Sequence, residues 1–415
     1  MNRNVALDLD FVRAQFPAFQ DPRLGQWAFF ENAGGSYVPE TVIDRLSRFL
    51  VEKKVQPYAP FEASAGAGVD IDRAERDMAE MINAEPGEIV IGASTTMNIY
   101  VLANAMRGWL RPGDEIIVTN QDHEANGGAW RRLADAGTRV REWRIDPDSG
   151  ELELDALGPL LSARTRLVCF PHCSNIVGTF NDAAAIARLA HRAGAMVMID
   201  GVSYAPHGRI DVKALDADFY AFSLYKTYGP HLAILYGRRQ HLERLDNQNH
   251  EQIADEVPLR LNPGGLNHEE TAALSGITDY YDAVYAHHFS DSAASRVARL
   301  GRIFELFADH EERLCGRLLD YLRAKPAIRI IGRRRAGGRL RAPTISFTVA
   351  NRRSHDVAAA LSERKLALRA GSFYAWRCVQ ALGIDPKDGV VRASMVHYNT
   401  LDEVDRLIAG LEAAL

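Results

Sequence analysis

Short apolar runs alternate with segments of helical periodicity from about residue 86 to residue 240. Runs at 88–92, 115–119, 138–143, 166–170, 196–199 and 219–222 are predicted strands, and 96–109, 127–136 and 183–193 are predicted helices. This rhythm predicts a largely parallel sheet with helices on both faces. The pattern then changes to a long helical stretch at 266–283 and further helices near 289–324. A second alternation follows: strand 344–349, helix 355–364, strand 390–395 and helix 401–415. It predicts a smaller α+β domain, against which the segment before about residue 23 is expected to pack.

A chain of 415 residues is long enough for two domains, and its 47% apolar and 25% charged content is ordinary for a globular protein. The net charge of −5 gives no electrostatic case for nucleic-acid or membrane binding. The Arg-Gly cluster at 333–339 lies between two strand-like runs and lacks interleaved aromatics, so it reads as a solvated hairpin loop. No apolar stretch approaches the roughly 20 residues that span a bilayer. The first ten residues mix charges and lack the apolar core of a secretory signal. Cys169, Cys173, Cys315 and Cys378 are too scattered for a disulfide framework, and no cluster has metal-ligand spacing. A reducing cytoplasm is the expected compartment, and no metal is expected.

In an open parallel sheet, ligands sit beyond the carboxyl ends of the strands. Thr95, His123, Asn175, Asp200 and Lys226 all fall just after predicted strands. An acid closing a buried strand, followed by a lysine in a hydroxyl-rich turn, is what pyridoxal phosphate chemistry needs. The lysine holds the cofactor covalently, and the carboxylate pairs with its pyridinium nitrogen. Thr95 and Thr96 open a helix and suit either a phosphate site or simple capping. His123, in Asp122-His123-Glu124-Ala125-Asn126, suits stacking on a planar ring or an ordinary loop. Asn175 suits a contact to a phenolic oxygen or a turn.

Taken in order, several segments resemble the class V aminotransferase-fold enzymes, and more narrowly their cysteine desulfurase-like group. They are Thr95-Thr96, Asp122 to Asn126, Cys173-Ser174-Asn175-Ile176-Val177-Gly178, Asp200-Gly201, Ser223-Leu224-Tyr225-Lys226-Thr227-Tyr228-Gly229-Pro230 and Arg392-Ala393-Ser394. Phe30-Glu31-Asn32-Ala33-Gly34-Gly35 and Ala370-Gly371-Ser372-Phe373-Tyr374-Ala375 support the narrower match. The resemblance implies a fold type I large domain (24–280) that binds pyridoxal phosphate, and a small domain formed by 1–23 and 281–415. It also implies that Lys226 carries the cofactor and moves the Cα proton, with His123 stacked on the ring and Asp200 at its nitrogen. Asn175, Ser203 and Tyr225 would lie near the ring, with Thr95, Thr96 and Ser223 at the phosphate. Arg392 would grip the substrate α-carboxylate, with Asn32 and Tyr374 facing the substrate. A homodimer with shared active sites is implied, Asn267 or His268 reaching the partner's phosphate.

The sequence departs from the desulfurase pattern at informative places. Tyr374 stands where those enzymes carry the sulfur-accepting cysteine, and Cys378 lies four residues on. Tyr225 replaces a histidine, Ser203 a glutamine, and Leu266 a small hydroxyl residue. The expected function is β-elimination of a cysteine S-conjugate, a C–S lyase reaction on an L-amino acid. The alternatives are an aminotransferase, or a desulfurase that uses Cys378. Loops at 32–37, 56–68 and 372–376 are expected to line the substrate pocket.

Overall fold

A computed structural model describes residues 5–291 and 294–414. Seven strands build the central sheet: β1 (Ile89–Gly92), β2 (Glu115–Thr119), β3 (Arg139–Trp143), β4 (Thr165–Pro171), β5 (Met196–Asp200), β6 (Phe219–Ser223) and β7 (Ala233–Gly237). Their spatial order is β1-β7-β6-β5-β4-β2-β3. Strands β6, β5, β4, β2 and β3 pair in parallel, while β7 runs antiparallel to both of its neighbours. Of the inner strands, β2, β6 and β7 are buried at every residue and β4 and β5 at all but one, as a sheet covered on both faces requires.

The predicted strands are all present, within a residue or two at each end. The predicted helices appear as Thr95–Ala105, Glu124–Arg131 and Ala183–Arg192, the first two followed by short tight turns of helix. Because β1 and β6 both run antiparallel to β7, they share a direction, so the carboxyl ends of β1, β2, β4, β5 and β6 open on one edge.

Four further strands, β8 (Ile328–Ile330), β9 (Thr344–Val349), β10 (Arg369–Gly371) and β11 (Val390–Ser394), form an antiparallel sheet in the order β10-β11-β9-β8. The Arg-Gly cluster lies in the connection between β8 and β9, which pair antiparallel. A separate apolar cluster fills this sheet's covered face, with Phe347, Val391 and Leu407 at 0% exposure. The 28-residue helix Arg296–Arg323 contributes to both cores, Phe307 to the larger and Leu318 to the smaller. Near the N-terminus, Arg13 reaches the C-terminal region, bonding to the Tyr398 carbonyl at 2.9 Å and Glu403 at 3.0 Å. Ala28–Phe29 pairs in parallel with Leu366–Ala367, which carries Glu31 towards β11. Among the described residues no helix is long and apolar enough to cross a membrane.

Candidate active site

The edge where the strands end holds a cavity lined by Lys226, Asp200, His123 and Asn175. Thr95, Thr96, Ser203, Ser223 and Tyr225 also border it. Local structure explains how each side chain is aimed. β6 ends at Ser223, and one tight helical turn, Leu224–Lys226, turns the lysine back over the strand ends. That turn is fixed by the Leu224 carbonyl, which accepts from the amides of Thr227 (2.8 Å) and Gly229 (2.9 Å). Asp200 closes β5, and its Oδ1 accepts the Val202 amide at 2.9 Å. The next residue must be glycine, because a Cβ at Gly201 would run into the Tyr220 ring. Behind it, His172 bonds Tyr220 through Nδ1 (3.0 Å) and stacks on Tyr204 at 3.6 Å, a buried frame for the end of the strand.

At another side of the cavity the helix Thr95–Ala105 begins. Its cap is Ser94, which accepts from the Met97 amide at 3.1 Å. The hydroxyls of Thr95 and Thr96 are therefore not needed as caps. Thr95 Oγ1 lies 2.7 Å from Ser223 Oγ, so two hydroxyls meet beside a helix N-terminus with its unpaired amides. This is a site suited to an anion.

Burial shapes the titration of the cavity. Burial and the nearby Arg392 charge pull the Lys226 amine down to about 8, partly opposed by Asp200 and Glu31. Among the described residues, no ion pair or hydrogen bond ends on this amine, although only 9% of the residue is exposed. Burial pushes the Asp200 carboxyl up to about 6, and the Val202 amide and Lys226 pull it back only in part. Burial, then Lys226 and Arg392, hold the His123 imidazole down to about 3, so the ring is neutral. His123 Nδ1 accepts the Ala125 amide at 3.1 Å, which leaves the proton on Nε2. Asp122 lies deeper, bonded to Thr119 (2.6 Å) and Asn126 (3.0 Å), and burial raises it to about 7.

The second group of site residues lies beside this cavity. Arg392, on β11, donates from Nη1 to the Asn175 carbonyl (3.3 Å) and from Nη2 to Glu31 (3.1 Å). Its guanidinium lies 3.7 Å from the centre of the Phe373 ring. The loop carrying Phe373 and Tyr374 holds both residues at positive φ, 49° and 57°, an uncommon conformation for side chains of this size. It is tied down where Asn175 Nδ2 donates to the Phe373 carbonyl (2.9 Å) and the Glu124 amide to the Tyr374 carbonyl (2.7 Å). Tyr374 is 76% exposed, its ring 5.5 Å from that of His123.

Two of the residues singled out from the sequence lie elsewhere. Asn32 is buried, and its amide bonds the Ser394 carbonyl (2.8 Å), Asn399 (3.2 Å) and the Tyr398 hydroxyl. It braces β11 rather than bordering the cavity. Asn267 caps the helix His268–Ala273 and borders a neighbouring cavity with His231 and Met97. The loop expectation for 56–68 also changes, because the helix Glu62–Met81 begins within it. Sequence reasoning missed Glu31 and Phe373 as partners of Arg392. The only signal for Glu31 was its place within the quoted Phe30 to Gly35 segment.

The cavity's chemistry fits pyridoxal phosphate. A buried amine that makes no ion pair among the described residues, a buried carboxyl and an anion-suited helix end face one space. Asn175 Oδ1 is buried without a hydrogen-bond partner at its wall. The family model for aminotransferase class V matches residues 28–407. The chain is 39% identical over 99% of both sequences to the aminotransferase-like protein FGM3 of Gibberella zeae. It is 32% identical over 98% of both to a cysteine desulfurase of Serratia proteamaculans. The structure superposes on the cysteine desulfurase CsdA from Escherichia coli with a TM-score of 0.83, covering 98% of each chain at 27% identity. Fold, site and sequence thus agree that this chain belongs to the class V aminotransferases, a family of enzymes that work with pyridoxal phosphate.

Proposed function

We propose that the protein is a C–S lyase that, with the uptake of one water, cleaves an L-cysteine S-conjugate to a thiol, pyruvate and ammonia. The observation that carries this reading is an amine, carboxyl and guanidinium set with no exposed thiol to accept sulfur. Cys173 borders the cavity, but it is buried, its Sγ donates to the Ser174 and Gly178 carbonyls, and burial raises its pKa. All four cysteines are buried. Cys378 sits at 0% exposure among Val177, Val379 and Leu382, and burial pushes its thiol up to about 12. A thiol of that kind is neither accessible nor ionised, so it is a poor sulfur acceptor. Tyr374 occupies the exposed loop position instead. Elimination needs no protein sulfur nucleophile.

When bound, pyridoxal phosphate supplies an electron sink for the pair left at Cα as its proton departs. In this reading Thr95, Thr96 and Ser223 anchor the phosphate, and Asp200 holds a proton at the ring nitrogen. His123 offers an uncharged face for stacking. Lys226 Nζ carries the cofactor and moves the Cα proton; its lowered pKa keeps a neutral amine accessible near neutrality. Arg392 orients the substrate by its α-carboxylate. We place the cofactor in a large domain of residues 24–280, with 1–23 and 281–415 as the small domain, in a homodimer whose Asn267 serves the partner's site.

The test is pyruvate release from a panel of cysteine S-conjugates, with free cysteine as the comparison. Pyruvate from conjugates supports the lyase, whereas no release across alkyl and aryl conjugates overturns it. The name of the Gibberella zeae relative favours transamination as a second reading. Conversion of the cofactor to its amine form by an amino acid, reversed by a keto acid, would distinguish that outcome.

A further inference from the structure

Three buried polar atoms without hydrogen-bond partners cluster around Arg392. They are its own Nε, Glu31 Oε2 and Asn175 Oδ1. The Arg392 and Glu31 side chains are in contact through Nη2 and Oε1, and Arg392 Nη1 donates to the Asn175 backbone carbonyl. Buried polar atoms in native proteins are nearly all paired; a carboxylate would supply the acceptor that Arg392 Nε lacks, and a proton shared with it would supply the donor that Glu31 Oε2 lacks. Nε and Nη2 form one edge of a guanidinium, the fork that grips a carboxylate through two parallel bonds. Phe373 covers the flat face and leaves that edge free of stacking.

A carboxylate arriving on this edge must share Nη2 with Glu31. Two carboxylates on one guanidinium repel, and such pairs relieve the repulsion by keeping one proton between them. We propose that Glu31 holds Arg392 ready and takes up a proton as the substrate carboxylate docks, so that recognition runs through a proton-sharing carboxyl pair on one guanidinium. The inference rests on the reading of Arg392 as the carboxylate receptor.

The groups whose charges bear on Glu31 support this course. Arg392 and Lys226 favour its charge, as does Arg369, the cross-strand neighbour of Arg392 on β10. Arg369 Nη1 is 3.8 Å from Glu31, but its side chain is 69% exposed, so water screens most of its effect. His123 is neutral and adds no compensating charge. Burial outweighs all three cations and already holds the Glu31 carboxyl above its ordinary range. A second anion pushes it further in the same direction.

Binding that takes up a proton strengthens as pH falls. Where Glu31 is ionised before binding and protonated after, carboxylate affinity changes about ten-fold per pH unit. The experiment is calorimetry of the holoenzyme with propanoate, at about pH 7, in two buffers of different ionisation heat. Propanamide is the neutral counterpart and needs no variant. We expect uptake of up to about one proton per site with propanoate and none with propanamide. In Glu31→Gln we expect no uptake and a propanoate affinity that is flat with pH. Propanoate binding without uptake, uptake that survives in Glu31→Gln, or no saturable propanoate binding would each overturn the proposal. Propanoate has neither an amine nor a leaving group, so failure of cysteine conjugates to yield pyruvate leaves this result standing.

Discussion

Asp200→Asn is expected to stabilise the cofactor-free protein while disabling the enzyme. The Asp200 carboxyl is 4% exposed and titrates at about 6 in the folded protein, against 3.8 for an unperturbed aspartate. The folded state therefore binds its proton more tightly than the unfolded state does. Below the unfolded value both states are protonated and the group costs nothing through ionisation. As pH rises towards the folded value, the unfolded chain ionises first and gains free energy that the folded protein cannot match. Two pH units or so correspond to about 3 kcal/mol of lost stability above pH 6. Asparagine keeps an oxygen for the Val202 amide and carries no charge, so it avoids this loss. In urea titrations of cofactor-free protein, we expect the Asp200→Asn variant to gain about 2–3 kcal/mol at pH 7.5, with the gain fading below about pH 4. In the role proposed for Asp200, activity should also fall steeply, because an amide cannot hold a proton at the ring nitrogen. Such an exchange of stability for function is common in active sites. A gain of equal size at both pH values would refute the reasoning, since the effect would then not come from ionisation.

Two further changes test the site. Arg392→Lys keeps a charge but loses the fork, the Asn175 carbonyl bond and the Phe373 stack. KM for an amino-acid substrate should rise roughly ten- to a hundred-fold, the worth of one charged hydrogen bond of about 1.5–3 kcal/mol. An unchanged KM would remove Arg392 from substrate binding. Cys378→Ala deletes a buried sulfur and should cost about 1 kcal/mol of stability, measured by denaturant titration. Turnover should be unaffected, and loss of activity in a well-folded variant would revive the displaced-cysteine route.

Most of the central sheet was legible because its inner strands are largely buried on both faces, which writes them around apolar runs such as 116–118 or 219–222, whereas β3 at the edge has only Trp143 buried. The cavity was legible for the same reason: Asp200, Ser223 and Lys226 follow the ends of those runs, and strand direction alone carries them to one edge. Strand β7 was not assigned from the sequence. Nothing in Ala-Ile-Leu-Tyr-Gly distinguishes an antiparallel strand inserted between β1 and β6 from a parallel one at the edge, because pairing partners are a non-local choice. The helix Glu62–Met81 was hidden by Gly66 and Gly68, which weaken helical propensity at its start. Glu31 was the costliest omission. An acid after Phe29-Phe30 reads as a solvated turn, and its partner Arg392 stands 361 positions away. Only the parallel pairing of Ala28–Phe29 with Leu366–Ala367, together with the bridge from Glu31 to Ser394, brings that carboxylate beside β11. Periodicity reports what a residue's own element buries. The charge that pairs with the buried Arg392 depends on which distant strand end folds against it.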